Sequence, residues 1–205
     1  MARKSGSSGE KTRAMVEEAA ISLIARHGFA AVSMRQIARE VGVQAGALYL
    51  YTPDKQSLLN DIMRGHMDHL LDTWRRCAPG PDVSPLDRLE TFVRFHIDYH
   101  IQRPEKVFIA YMELRNLDPA NFAEIERLRR SYEQVVEDIL KAGAASGDFH
   151  LTDPRLTTLA MIAMLTGVST WYRDGGRLPP AAIATRYVDM ALRLVGAAPH
   201  AQAAE

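Results

Sequence analysis

Cysteine is almost missing from this chain: Cys77 stands alone among 205 residues, so no disulfide can form within the chain and no cysteine-rich zinc site can be built. Net charge is missing too. The 25 Lys and Arg balance the 25 Asp and Glu, and the whole molecule offers no field that draws in nucleic acid or a membrane surface. Long apolar runs are also absent. The longest uncharged stretch, Leu156 to Tyr172, carries Thr157, Thr158, Thr166, Gly167, Ser169 and Thr170 and falls short of the ~20 mostly apolar residues that a membrane span requires. A buried helix at an interface is the better reading. The opening MARKSGSSGE has no apolar core of a signal peptide, which with the cysteine usage reads as cytoplasmic. No nucleophile–base pair, carboxylate dyad or cofactor loop stands at interpretable spacing, so the expectation is a non-enzyme without a cofactor.

The 47% hydrophobic content is enough to bury a core, and the charge is unevenly spread. Residues 1–55 hold eight Lys and Arg (Arg3, Lys4, Lys11, Arg13, Arg26, Arg35, Arg39, Lys55) against five acids, leaving an excess of acids in the remainder. A mildly basic unit on a mildly acidic body suggests an anionic partner at one end.

The periodic segments are rich in Ala, Leu, Met, Arg and Glu, and no alternating β-branched run interrupts them, so the fold class is all-α. Starts and stops predict nine helices, at about 11–27, 33–42, 44–51, 55–77, 85–102, 104–116, 119–145, 154–173 and 180–195. Ser33-Met34-Arg35-Gln36 has capping-box spacing, and Ser84-Pro85, Asp118-Pro119 and Asp153-Pro154 each place a capping side chain before a proline suited to the first helical position. Pro79-Gly80-Pro81 is the clearest linker. The expected organisation is a flexible basic arm (1–10), a helix-turn-helix unit (11–55), a helical body (56–196) and a flexible tail (197–205).

The second and third helices, joined at Gly42-Val43, form a helix-turn-helix candidate. Ile37, Ala38, Val41, Val43 and Leu48 are the positions that would pack it. Gln44, Ala45, Gly46, Ala47, Tyr49 and Tyr51 are left for other faces, where a recognition helix meets base edges and phosphates. Gly46 costs ~1 kcal/mol relative to alanine in a helix, which favours a packing or backbone-approach role. A three-helix packing unit with no ligand is the alternative. Arg3, Lys4, Lys11 and Arg13 either follow a DNA backbone or minor groove or form a solvated tail.

Gly28-Phe29, the run Ser33 to Ala38, the run Gly42 to Tyr49 and the run Pro53 to Leu59 together resemble the DNA-binding domain of the tetracycline-repressor (TetR/AcrR) family over about residues 11–60. The resemblance implies a dimeric transcription regulator, usually a repressor, whose C-terminal helices bind a small effector. It assigns Arg35, Gln44, Ala45 and Tyr51 to base edges and Tyr49 and Lys55 to phosphates, with Ser33 also in reach of a phosphate. That chemistry is sound, since Arg forks onto guanine and Gln pairs with adenine. Ala47, where Ser or Thr often contacts phosphate, and Thr52, where an aromatic commonly packs, depart from the family pattern.

In the body, His96 and His100 share a helix face at i, i+4, either as polar pocket lining or as part of a metal site. Met112-Glu113-Leu114-Arg115, the stretch Arg127 to Tyr132, Gly147-Asp148-Phe149 and the run Trp171 to Leu178 resemble TetR-family regulators of acyl-CoA, fatty-acid or sterol-side-chain catabolism. That resemblance implies an acyl-CoA effector, with Arg115, Arg127 and Arg130 on its phosphates and Met112 and Trp171 at its apolar end. Tyr111 and Met164 join them as candidate lining, and a hydrophobic drug-like effector is the alternative. Leu156, Leu159, Ala160, Ala163, Met164, Gly167, Val168 and Trp171 form one helix face. Ile183, Tyr187, Val188, Ala191, Leu192 and Val195 form another, and the family's dimer is built from these two helices of each subunit.

Overall fold

The computed structural model describes residues 6–197, all of whose regular elements are helical. Arg3 and Lys4 of the expected arm, and residues 198–205 of the expected tail, lie outside the described residues. The helices are α1 (Gly6–His27), α2 (Met34–Val41), α3 (Ala45–Leu48), α4 (Lys55–Cys77), α5 (Pro85–Ile101), α6 (Pro104–Met112), a 3₁₀ turn (Leu114–Asn116), α7 (Pro119–Ser146), α8 (Pro154–Thr166), α9 (Val168–Trp171) and α10 (Pro180–Leu194). Gly167 between α8 and α9 keeps helical angles, φ −54° and ψ −22°, so the two form one interrupted helix and the count of α-helices among the described residues is the nine expected.

The starts follow the capping chemistry. Ser33 Oγ accepts from the Gln36 amide at 3.3 Å while Gln36 Oε1 accepts from the Ser33 amide at 2.7 Å, closing the capping box of α2. Asp54, Ser84, Asp118 and Asp153 accept from the amides of Ser57, Asp87, Asn121 and Leu156 at 2.7, 3.1, 2.9 and 2.9 Å. One element is longer than expected, since α1 begins at Gly6 and takes residues 6–10 of the expected flexible arm into its first turns, and two are shorter. The third helix stops at Leu48, and Leu50 and Tyr51 continue it only as tight turns bonded to Ala47 and Leu48, since Gly46 weakens a helix that Pro53 must soon end. The sixth stops at Met112, and the expected residues to Asn116 tighten into the 3₁₀ turn.

The chain divides into two compact units. The first comprises the residues through Asp68 together with Glu105–Arg127. Its core holds Val16, Ala20, Ile24, Phe29, Val32, Ile37, Leu48, Leu59, Ile62 and Met63. The second comprises His69–Pro104 and the residues from Leu128 onward, so α4 and α7 each contribute to both units. Its core is aromatic: Trp74 meets Phe92 edge-on at 5.2 Å, and Phe92 lies 5.3 Å from Tyr132.

In the second unit α10 packs on α5 and α8, and this corrects one expectation. The face Ile183, Tyr187, Val188, Ala191, Leu192 and Val195 is core of the unit itself, not a surface for a partner. An amphipathic pattern marks an apolar face but does not say which neighbour it meets. On α10 the exposed large apolar side chains are Met190 and Leu194.

Candidate functional site

Ile37 and Leu48, both fully buried, pin α2 and α3 to each other, and Gly42 at φ 77° supplies the left-handed turn between them. With those faces inward, Arg35, Gln36, Arg39 and Glu40 of α2 face solvent, as do Gln44, Gly46 and Tyr49 around α3; Ala45, Ala47 and Tyr51 are half-buried. Gln44 stands in extended conformation just before α3 and makes no capping bond, so its amide is not consumed by the helix. A Cβ on Gly46 would meet nothing within 4 Å. Packing therefore does not require glycine at 46, and what it supplies is bare backbone on an exposed surface.

Ser33 and Lys55 are more committed than the sequence suggested. The Ser33 hydroxyl donates to Gln36 Oε1 at 2.8 Å while it caps α2. Lys55 is half-buried, with Nζ 4.1 Å from the centre of the Phe29 ring. Burial lowers its pKa, and the negative charge of Glu113 works the other way. Sequence reasoning passed over Leu50, which is 79% exposed beside Tyr49. Its signal was its place two residues past the buried Leu48, at the end of the short recognition helix.

In the second unit His96 and His100 are fully buried and stacked, with ring centres 3.7 Å apart and planes 3° from parallel. Lone pairs on imidazole nitrogens lie in the ring plane, and parallel rings at that spacing share no common point, so one ion cannot take both. Among the described residues no group of three or more His, Cys, Asp or Glu is placed to hold a metal. His96 instead bonds Tyr132 Oη through Nδ1 at 3.1 Å and Thr166 Oγ1 through Nε2 at 3.3 Å. His100 Nδ1 donates to the His96 carbonyl at 2.7 Å, and burial drives its pKa down to about 4, so it is neutral with Nε2 as an acceptor. His100 also lines a cleft of about 250 Å³ with Ile101, Pro104, Ser169, Tyr172, Arg173 and Asp174.

None of the other candidate effector residues lines that cleft. Tyr111, Met112, Arg115 and Arg127 belong to the first unit, where Met112, Arg115 and Arg127 are exposed. Arg130, Met164 and Trp171 belong to the second, with Arg130 exposed and Met164 half-buried. Trp171, 50% exposed, continues a ridge on α8 and α9 in which Leu156, Leu159, Ala160 and Ala163 are all exposed. Among the described residues no helix is long and apolar enough to cross a membrane.

Comparison with known proteins agrees with this geometry. The family models described as bacterial regulatory proteins, tetR family, and tetracyclin repressor-like, C-terminal domain, match residues 18–62 and 82–195. The HTH-type transcriptional repressor KstR2 of Rhodococcus jostii is 29% identical over 197 residues, with 92% of each chain covered. A solved bacterial regulatory protein in the tetR family from Rhodococcus RHA1 is 35% identical with a TM-score of 0.87, covering 92% of this chain and 98% of that one. AibR, solved in complex with isovaleryl coenzyme A and operator DNA, is 26% identical with a TM-score of 0.79, covering 87% of this chain and 96% of that one. These matches describe a regulator and not an enzyme. The chain belongs to the TetR family of bacterial transcriptional regulators.

Proposed function

We propose that the protein is a homodimeric repressor whose two heads enter successive major grooves of a near-palindromic operator, and that an acyl-CoA bound in the body releases it. The observation that carries the DNA reading is the helix-turn-helix itself, with Arg35, Gln44 and Gly46 exposed on one compact unit whose packing demands none of them. Arg35 and Gln44 read base edges, with Ala45 and Tyr51 beside them; Tyr49 and Lys55 hold phosphates. Leu50 meets a thymine methyl or a sugar. Ser33 serves chiefly as the cap that fixes Arg35 at the start of α2.

Dimerisation is supported by the exposed ridge Leu156, Leu159, Ala160, Ala163 and Trp171, and by Met190 and Leu194, which are exposed on α10. Small residues in such a ridge let helices approach closely, and leaving it in water would forgo ~25 cal/mol per Å² of apolar area. The acyl-CoA reading rests on the relative solved with isovaleryl coenzyme A and on the polar-apolar character of the body. His100 and the cleft it lines suit a group that donates a hydrogen bond, and the exposed Arg130 of the same unit suits a phosphate. A hydrophobic drug-like effector is the second reading, favoured by the exposed Trp171 and the half-buried Met164. The stacked imidazoles speak against a metal effector.

Selection of duplexes from a random-sequence pool, followed by sedimentation of the complex, tests this reading. The expected product is a near-palindrome with half-sites about 10 base pairs apart, bound by at least one pair of protomers. Enrichment of no sequence would overturn it.

A further inference from the structure

The first unit joins two distant parts of the chain around one turn, residues 113–118 between α6 and α7. Glu113 is buried there, 6% exposed, with its carboxylate against the connection between α1 and α2. The amide of Phe29 donates to Glu113 Oε1 at 3.3 Å across 84 residues of sequence, and Asn116 Nδ2 donates to Oε2. Lys55 adds its charge while its stem and ammonium cover the Phe29 ring. At the other end of the same turn, Gln56 uses both ends of its side-chain amide. Nε2 donates to the Asn116 carbonyl at 2.6 Å, and Oε1 accepts from the Asp118 amide at 3.1 Å. One α-turn further along α4, Asn60 Nδ2 donates to Glu124 Oε2 at 2.9 Å.

The anchored points bracket the helix-turn-helix. Phe29 lies just before α2 and Gln56 just after the recognition helix, in the first turn of α4, so residues 30–55 hang between two anchors fixed to one turn. None of these bonds is needed to close a helix: α2, α4 and α7 have caps of their own in Ser33, Asp54 and Asp118. The turn is also the place where α6 and α7, which lead to the second unit at Pro104 and Leu128, reach the head. Fixing both ends of a recognition element costs conformational entropy before DNA arrives, and lowers the entropy that binding must then remove.

We propose that Glu113 and Gln56, which touch no DNA, are positioning residues that latch the recognition helix in its DNA-competent orientation through the 113–118 turn. The inference rests on the operator-binding reading. The latch tightens when DNA is bound, because the duplex then holds the recognition helix between its two anchors.

Amide hydrogen exchange on the full chain tests it, read with and without a duplex that the protein selects from a random pool. In the unaltered protein, DNA binding slows exchange at Gln44–Tyr51 and also at the Phe29 and Asp118 amides, by about tenfold, although the last two meet no DNA. Each variant is read at the anchor it leaves intact. Gln56→Ala abolishes the DNA-induced slowing at Phe29, and Glu113→Gln, which keeps the size of the side chain and removes its charge, reduces the slowing at Asp118. Both weaken operator binding by roughly five- to tenfold with an unchanged salt slope, because no phosphate contact is lost. Slowing that persists at the intact anchor in both variants would make these bonds merely structural and overturn the latch, as would no slowing at Phe29 and Asp118 in the unaltered protein. A salt slope reduced by about one would place the altered residue on a phosphate and overturn the positioning role. If no duplex is selected at all, the operator-binding reading fails and takes the latch with it.

Discussion

Arg35 and Lys55 carry the same charge in different settings, and the difference decides what each can do for DNA. Arg35 is exposed on α2, and a guanidinium forked onto guanine discriminates by ~1 to 3 kcal/mol, so Arg35→Ala is expected to weaken the cognate duplex by that amount and relax one base pair per half-site. Lys55 is held over Phe29 as a point charge, so Lys55→Ala weakens all sequences alike and lowers the salt slope by about one. Fluorescence anisotropy on cognate and scrambled duplexes over a salt series separates the two, and uniform losses in both variants would remove the base-reading role from Arg35. His100 makes a second prediction at this scale. The unfolded chain binds a proton there near pH 6.5 and the folded chain only near 4, so unfolding takes up a proton between those values. The His100 contribution is complete above about pH 6.5 and is lost as pH falls toward 4, a total of roughly 3 kcal/mol at 1.36 kcal/mol per unit. His100→Phe keeps a flat ring on His96 and is expected to flatten urea-unfolding stability against pH over that window. Unchanged curvature would show that His100 is as easily protonated folded as unfolded.

At the level of elements, the α8 and α10 faces make opposite predictions although both read as apolar in sequence. Ala163 is exposed on its ridge, so Ala163→Glu is expected to give a folded protein that runs as a monomer in light scattering, because only a partner would bury the charge. Ala191 is 0% exposed inside the unit, so Ala191→Glu should lower thermal stability severely whatever the oligomeric state. A stable dimer of Ala163→Glu would move the interface elsewhere. The end of α7 is equally specific: a Cβ on Gly143 would lie 2.0 Å from the Phe149 ring, so Gly143→Ala should cost about 1 to 3 kcal/mol in denaturant unfolding, and a neutral result would mean that Phe149 moves freely. Helix starts were legible in the sequence because Ser33, Ser84, Asp118 and Asp153 act on amides within three residues, a chemistry that spacing reveals. The solvent-exposed set around α2 and α3 was legible for the same reason, once Ile37 and Leu48 fixed the inward face. What spacing could not reveal was long-range pairing. The burial of the α10 face against α5 and α8, and the Glu113–Phe29 and Gln56–Asn116 bonds across 84 and 60 residues, depend on how the chain returns on itself.

For the molecule as a whole, α4 and α7 each begin in the unit that carries the head and end in the unit that carries the buried histidines, and the chain passes between the units a third time at Pro104, the first residue of α6. In the proposed account an effector favours a state in which the heads leave the ~34 Å spacing that two half-sites require, and operator affinity falls by the effector's differential affinity for the two states. Of an acyl-CoA, its free acid and coenzyme A, only the thioester offers both an apolar segment and phosphates to such a body, so neither half of the molecule should suffice. The most direct measurement is anisotropy of the selected duplex titrated with acyl-CoAs of several chain lengths, the matching free acids and coenzyme A alone. The account predicts release by at least one thioester at micromolar concentration, with little effect from its acid or from coenzyme A. Release by an uncharged hydrophobic compound, with every thioester inert, would contradict it.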